Sequence, residues 1–208
     1  MIGVLIVDDS AVVRANLAHI LGADPDIRIL GTARNGNEAL AFVARQKPDV
    51  ITMDIQMPEM DGFEVTRRIM ESAPVPIIIV SAIWSPDEQA LSFKALEAGA
   101  VSCLAKPPGI GDASYCEEAA ELVATVKQMA EVKMVRRWPK RTAEPPAVAA
   151  ACPPPASQVR VVALGASTGG PPAVGQFLSQ LPADFPVPVL IVQHISRGFA
   201  RGFVDWLG

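Results

Sequence analysis

Asp8, Asp9, Asp54, Ser81 and Lys106 are the side chains of this 208-residue chain best suited to do chemistry together. Each sits at or just beyond the end of a short apolar run: 4–7 before Asp8 and Asp9, 50–53 before Asp54, 77–80 before Ser81, and 101–104 shortly before Lys106. In an open parallel α/β sheet the carboxyl ends of the strands meet along one edge, where functional groups collect. Three carboxylates brought together cannot all stay ionised unless another charge offsets their repulsion. A hard divalent cation does so, and Mg²⁺ takes a few carboxylate and carbonyl oxygens plus waters. Lys106 adds a compact positive charge for phosphate oxygens, and Ser81 adds a hydroxyl donor. Such a set suits phosphoryl transfer, with a carboxylate attacking in line while cation and lysine neutralise the moving group. Singly, any of these aspartates reads as well as a helix cap, and the acid pair reads as a structural metal site. Ser81 and Lys106 at two further strand ends favour phosphoryl chemistry over both.

A second group lies in Gly165-Ala166-Ser167-Thr168-Gly169-Gly170, between a strand-like run and a helix-like one. Three readings stay open on this motif. Its glycines can let backbone N–H groups approach an anion at a helix N-terminus. A sharp turn can instead lift Ser167 out as a nucleophile. Or the stretch is a capped helix with flexible glycines. A serine nucleophile needs a base, and the chain has two histidines. His19 falls inside the first helical pattern, whereas His194 follows the apolar run 189–193. Adjacent parallel strands would bring Ser167 and His194 to one sheet edge, although a lone histidine at a strand end is more often structural.

The elements that must position these groups alternate. Runs 4–7, 27–31, 50–53, 77–80 and 101–104 predict buried strands. Helices are predicted from Ser10 to Gly22, over 37–46, 62–71 and 86–97, and through Ala119, Leu122, Val123, Val126 and Ala130. The fold class is therefore α/β, with a five-stranded doubly wound parallel sheet over residues 1–135. Residues 136–158, with Pro145-Pro146, an alanine run and Pro153-Pro154-Pro155, read as a semi-extended linker. From 159 a second α/β unit begins, with strands predicted at 159–164 and 187–192, a helix at 172–180, and another helix starting near the end. That unit is too short to close a core alone, so residues 159–208 read as the front of a larger, truncated domain.

Composition excludes other classes. The net charge of -4 argues against a nucleic-acid or anionic-membrane surface. No apolar run approaches the ~20 residues that span a bilayer. The run 2–7 ends in Asp8 and Asp9, unlike a signal peptide. Three scattered cysteines make no disulfide framework, and the expected location is the cytoplasm.

Val7-Asp8-Asp9-Ser10, the stretch from Met53 to Gly62, Val80-Ser81-Ala82 and Lys106-Pro107 resemble the receiver domains of two-component response regulators. The resemblance covers about the first 130 residues. It implies that Asp54 is phosphorylated from a histidine kinase. It also implies that Asp9, Asp54 and the carbonyl of Gln56 ligate Mg²⁺ with help from Asp8, and that Ser81 and Lys106 read the phosphoryl group. One residue departs from the pattern: Cys103 stands where receivers commonly place an aromatic switch residue.

Residues 161–207, through the glycine-rich turn, Gln193-His194-Ile195 and Gly198-Phe199, resemble the catalytic domain of chemotaxis protein-glutamate methylesterases. A receiver, a linker and this domain in that order is that family's architecture. The resemblance implies hydrolysis of glutamate methyl esters on methylated chemoreceptors, and deamidation of receptor glutamines, without an esterase cofactor. Ser167 would be the nucleophile, His194 the base and then acid, and Thr168 with backbone N–H groups the oxyanion support. It further implies that the unmodified receiver covers the esterase site and that phosphorylation loosens the contact. The family's third triad acid is expected beyond Gly208, because Asp184 in a proline-flanked loop and Asp205 in an amphipathic helix are poorly placed. A second reading follows: a phosphorylation-dependent binding module or phosphate sink whose effector part is inactive. A DNA-binding regulator is disfavoured, because no helix-turn-helix pattern follows the linker.

Overall fold

The computed structural model describes residues 1–81, 94–134, 159–167, 169–195 and 199–208. In chain order come β1 (Ile2–Val7), α1 (Ala11–Gly22), β2 (Ile27–Ala33), α2 (Gly36–Arg45), β3 (Val50–Met53), α3 (Gly62–Ser72) and β4 (Ile77–Ser81). Helical backbone at 94–98 leads to β5 (Ser102–Ala105) and α4 (Tyr115–Ala130). The second group is β6 (Val162–Ala166), α5 (Gly170–Leu178), β7 (Val189–Gln193) and α6 (Ala200–Leu207). Most of the expected helix at 86–97 and the expected linker at 136–158 lie outside the described residues.

The first five strands form one sheet in the order β2-β1-β3-β4-β5, with every neighbouring pair parallel. This is the doubly wound α/β sheet expected from the sequence. Alternation along the central strands divides the core. Leu5, Val7, Ile51, Met53, Ile77 and Ile79 face one side, with α2 and α3 residues such as Val43, Val65 and Ile69. Val4, Ile6, Val50, Ile78 and Val80 face the other, with Leu17 and Leu21 of α1 and Leu122 and Val126 of α4. Strands β1, β3 and β4 are thus covered on both faces, which explains why their sequences run apolar without alternating. Each such side chain contributes about 1.5–3 kcal/mol by leaving water.

Side-chain caps start the helices at the sheet edge. Ser10 Oγ accepts from Val13 N at 3.4 Å, Asn35 Oδ1 from Glu38 N at 2.9 Å, and Asp61 Oδ1 from Glu64 N at 2.9 Å. Strand order turns around between β1 and β3, because the chain leaves β1 for the edge strand β2 and returns on the far side. The residues just past β1 and β3 therefore stand at the switch point, where such sheets hold ligands.

Strands β6 and β7 form a separate parallel pair, in register from Val162 opposite Val189 to Ala166 opposite Gln193. Both strands begin later than the expected 159 and 187. Pro188 has no N–H for the ladder, so pairing starts with Val162 N donating to Pro188 O at 3.0 Å. Helix α5 begins earlier than expected, at Gly170, because Gly169 turns the chain with a left-handed φ of 72° and prolines occupy the first turn.

Candidate functional site

Asp54 follows β3, and its N–H donates to Val7 O at 2.9 Å, which carries the ladder one residue past the strand. Asp8 N donates to Ala33 O at 3.1 Å in the same way on the other side of β1. Lys106 N bonds Ser81 O at 3.0 Å, so the end of β5 is tied to the end of β4. These extensions bring the sequence-predicted residues to one edge. Lys106 Nζ lies 2.8 Å from Asp54 Oδ2 and 2.9 Å from Asp8 Oδ2. Carboxylate oxygens of Asp8, Asp9 and Asp54 all lie within 4.8 Å of one another. Asp8, Asp54 and Ser81 are buried, whereas Asp9 is exposed.

Burial raises the pKa of Asp54 above the usual carboxylate value and the nearby Asp8 adds to the rise, against the bonds and charge of Lys106. Burial works against the ammonium of Lys106, but its bonds to Asp54 and Asp8 outweigh that penalty and its pKa ends above the ordinary one. Asp8 Oδ2 is buried, and the Lys106 ammonium at 2.9 Å is its close partner among the described residues. Three acids and one such oxygen fit a hard divalent cation, which accepts the lone pairs that a single lysine leaves unshared.

Close backbone approach shapes the site's floor. A Cβ at Gly62 would lie 2.2 Å from Asp54 O, so only glycine lets α3 start against the Asp54 backbone. Glu59, in the loop between them, has a left-handed φ of 68°.

Two positioning side chains carry no sequence signal of their own. Arg14 Nη1 reaches back from α1 to donate to Asp8 O at 2.7 Å and Asp9 O at 2.9 Å. Asn16 Nδ2 donates to Pro107 O at 3.3 Å and Pro108 O at 3.2 Å, holding the turn after Lys106 against α1. Their spacing of i+5, i+6 or ninety-odd residues matches no periodic pattern, so only the folded chain reveals them. Cys103 is buried in β5, and burial pushes its thiol pKa up, which keeps it protonated.

The second cluster follows from the β6–β7 register. Ala166 is opposite Gln193, so the next residues, Ser167 and His194, come side by side at the carboxyl ends. His194 N donates to Ala166 O at 2.9 Å, and Ser167 Oγ lies 3.3 Å from His194 Nδ1. Both residues are exposed. Thr168 lies outside the described residues. Neither Asp184 nor Asp205 pairs with His194 among the described residues; Asp205 stands 4.0 Å from Arg201. A cavity of about 260 Å³ is lined by Ser167, Gln193 and His194 on one side and by Cys103, Glu121 and Thr125 on the other. No described helix is long and apolar enough to cross a membrane.

Residues 4–113 match the family model of the response regulator receiver domain, and residues 162–208 match that of CheB methylesterase. A protein-glutamate methylesterase/protein-glutamine glutaminase of Syntrophus aciditrophicus is 53% identical over 211 residues, covering 100% of this chain and 60% of that protein. A relative of the same name from Geobacter metallireducens is 52% identical with the same coverage. The chain thus spans about 60% of the length of the curated relatives it matches. The solved response regulator domain of Thermotoga maritima CheB aligns with a TM-score of 0.57 at 39% identity, covering 64% of this chain and 98% of that one. Residues 162–208 of the same chain match the CheB methylesterase model, and, with more than half of its residues matching the receiver model and the acid cluster at the matching strand ends, the chain belongs to the response regulator receiver family.

Proposed function

We propose that this chain is a chemotaxis response regulator in which Asp54 accepts a phosphoryl group from a histidine kinase. That event activates Ser167 and His194 to hydrolyse glutamate methyl esters, and to deamidate glutamines, on chemoreceptors. The observation that carries the reading is the presence on one chain of the Asp54–Lys106–Asp8 cluster and of a serine and histidine within hydrogen-bond reach. Residues 1–135 are the receiver, 136–158 the linker and 159–208 the esterase segment, acting in the cytoplasm without nucleic acid or membrane insertion.

In the receiver, an Asp54 oxygen attacks phosphorus in line, and the bond to the donor imidazole breaks as the new acyl phosphate forms. Asp8, Asp9, Asp54 and the carbonyl of Gln56 are the groups that would hold Mg²⁺. When bound, the ion supplies charge neutralisation at the acids and at the transferred group. Lys106 and Ser81 then contact phosphoryl oxygens. Because Lys106 bridges Asp54 and Asp8, phosphorylation of Asp54 must re-pair it, and this is the charge change that biases the switch.

In the esterase segment, Ser167 Oγ attacks the ester carbonyl and passes its proton to the His194 nitrogen facing it. His194 returns the proton to the departing methoxide, and water completes the hydrolysis of the acyl-enzyme. Backbone N–H groups of the glycine turn and Thr168 are the oxyanion donors. The cavity shared by Cys103, Glu121 and the Ser167–His194 pair supports a receiver that stands against the esterase edge when unphosphorylated.

A second reading is a binding module or phosphate sink. In that reading the Asp54–Lys106–Asp8 cluster alone carries the activity. Methanol release from methylated receptor separates the two, with Ser167→Ala as the blank. Release that depends on Ser167 and rises with acetyl phosphate is expected. Phosphate uptake without any methanol would leave only the module. Asp54→Asn should abolish acid-labile phosphate, and undiminished labelling would remove Asp54 as the acceptor.

A further inference from the structure

We infer that Gln193 is a positioning residue whose side-chain amide clamps the Ser167 turn to the His194 turn, an inference that rests on the esterase reading above. Gln193 ends β7 and directly precedes His194, and the register sets it opposite Ala166, the residue before Ser167. Its Nε2 donates to Ser167 O at 2.9 Å and to His194 O at 2.8 Å. The two acceptors are the backbone carbonyls of the nucleophile and of the base. A primary amide nitrogen has two N–H groups, so both are used on these carbonyls and neither remains for substrate. That excludes a role for Gln193 as an oxyanion donor and leaves positioning.

The other end of the amide is enclosed but accepts no hydrogen bond among the described residues. Gln193 Oε1 is buried, and a Cβ at Gly170 would come 2.1 Å from it. The bare Cα of Gly170 therefore provides the slot in which the amide lies. Gly170 N in turn donates to Ser167 O at 2.8 Å, so the nucleophile's carbonyl accepts from both sides. Without this interlock, the bonds that tie the two exposed turns at their tips, among the described residues, are His194 N to Ala166 O and the Ser167–His194 side-chain pair. The Ser167 Oγ to His194 Nδ1 separation of 3.3 Å is near the long end for a hydrogen bond, so a shift of a few tenths of an ångström breaks it.

Labelling of Ser167 by a fluorophosphonate, followed by intact-mass spectrometry of the whole 208-residue chain, tests the clamp. In this reaction the Ser167 oxygen bonds to phosphorus, fluoride leaves, and His194 takes the proton. Gln193→Ala removes both donors. Gln193→Glu keeps the shape but turns an acceptor toward two carbonyls. Both variants should label roughly 10- to 100-fold more slowly at saturation, with the half-saturating probe concentration unchanged. Phosphate uptake on Asp54 should stay at the level of the unaltered chain, showing that the receiver is intact. A packing role alone would leave Gln193→Glu close to normal, so labelling within about twofold of the unaltered chain overturns the proposal. If the unaltered chain takes no probe at Ser167, the esterase reading falls and the clamp falls with it. A loss confined to the Gln193 variants supports both.

Discussion

At the residue scale, burial sets the behaviour of Asp54. Desolvation and the charge of Asp8 raise its pKa in the folded chain, against the opposing pull of Lys106. An acid whose folded pKa exceeds its unfolded one adds most stability below the unfolded value, near 3.9, and loses that contribution as pH rises through the folded value. Ionised Asp54 therefore weighs on the metal-free fold at neutral pH. Asp54→Asn should melt at a higher temperature than the unaltered chain in EDTA at about pH 7.5, and the gap should narrow as pH is lowered toward about 4.5. A gap that widens in acid would reverse the sign assigned to Asp54. Arg14 makes a prediction whose sign is also diagnostic. Its charge lies near the acid cluster, so Coulomb repulsion alone says that Arg14→Ala should tighten Mg²⁺ binding. Its bonds to Asp8 O and Asp9 O say the opposite, because they aim the two acids. Weakening of roughly tenfold by titration calorimetry is expected, in line with other outer-shell ligand supports. Tighter binding would mean that the charge outweighs the hold on the loop.

At the element scale, the start of α3 is where the fold leaves least room. Gly62→Ala drives a methyl into Asp54 O, 2.2 Å away, so either α3 or the Asp54 backbone must move. Urea unfolding should show a loss of about 1–3 kcal/mol, and phosphate uptake should slow. A variant of unchanged stability would show that α3 can pull back freely. Much of this frame is legible in the chain before folding. The central strands are buried on both faces, so their apolar runs mark them, and the chemistry stands out because polar residues end those runs abruptly. The boundaries of β6 and β7 are less legible, because ladder pairing, not hydropathy, decides them and Pro188 delays it. Arg14, Asn16 and Gln193 are not legible as site residues at all. Each acts by donating to backbone carbonyls of loops at the sheet edge, and such bonds leave no period in the sequence.

At the scale of the whole molecule, one cavity is lined by both the Ser167–His194 pair and the unit that carries Asp54. Cys103 of β5 and Glu121 and Thr125 of α4 line it together with Ser167 and His194, so the wall beside Ser167 is made by the unit that carries Asp54. Buried Phe199, just before α6, lines the same space, and an aromatic ring buried there makes the contact more than polar. Cys103 bears on how a signal could cross this wall. At the position where the resemblance places an aromatic switch residue, Cys103 is a small buried thiol with no ring to swing. Lys106 directly follows the end of β5 and is bridged to Asp54 and Asp8, so the proposed re-pairing of Lys106 would pull on the strand that carries Cys103. Such a shift need only alter the balance between two arrangements, by as much as the new charge favours one of them. Hydrogen exchange read by mass spectrometry tests this. Acetyl phosphate with Mg²⁺ should speed exchange in peptides covering 121–128 and 165–170 together, and Asp54→Asn should abolish both effects. Faster exchange in the first peptide alone would mean that the phosphoryl signal stops within the receiver and never reaches Ser167.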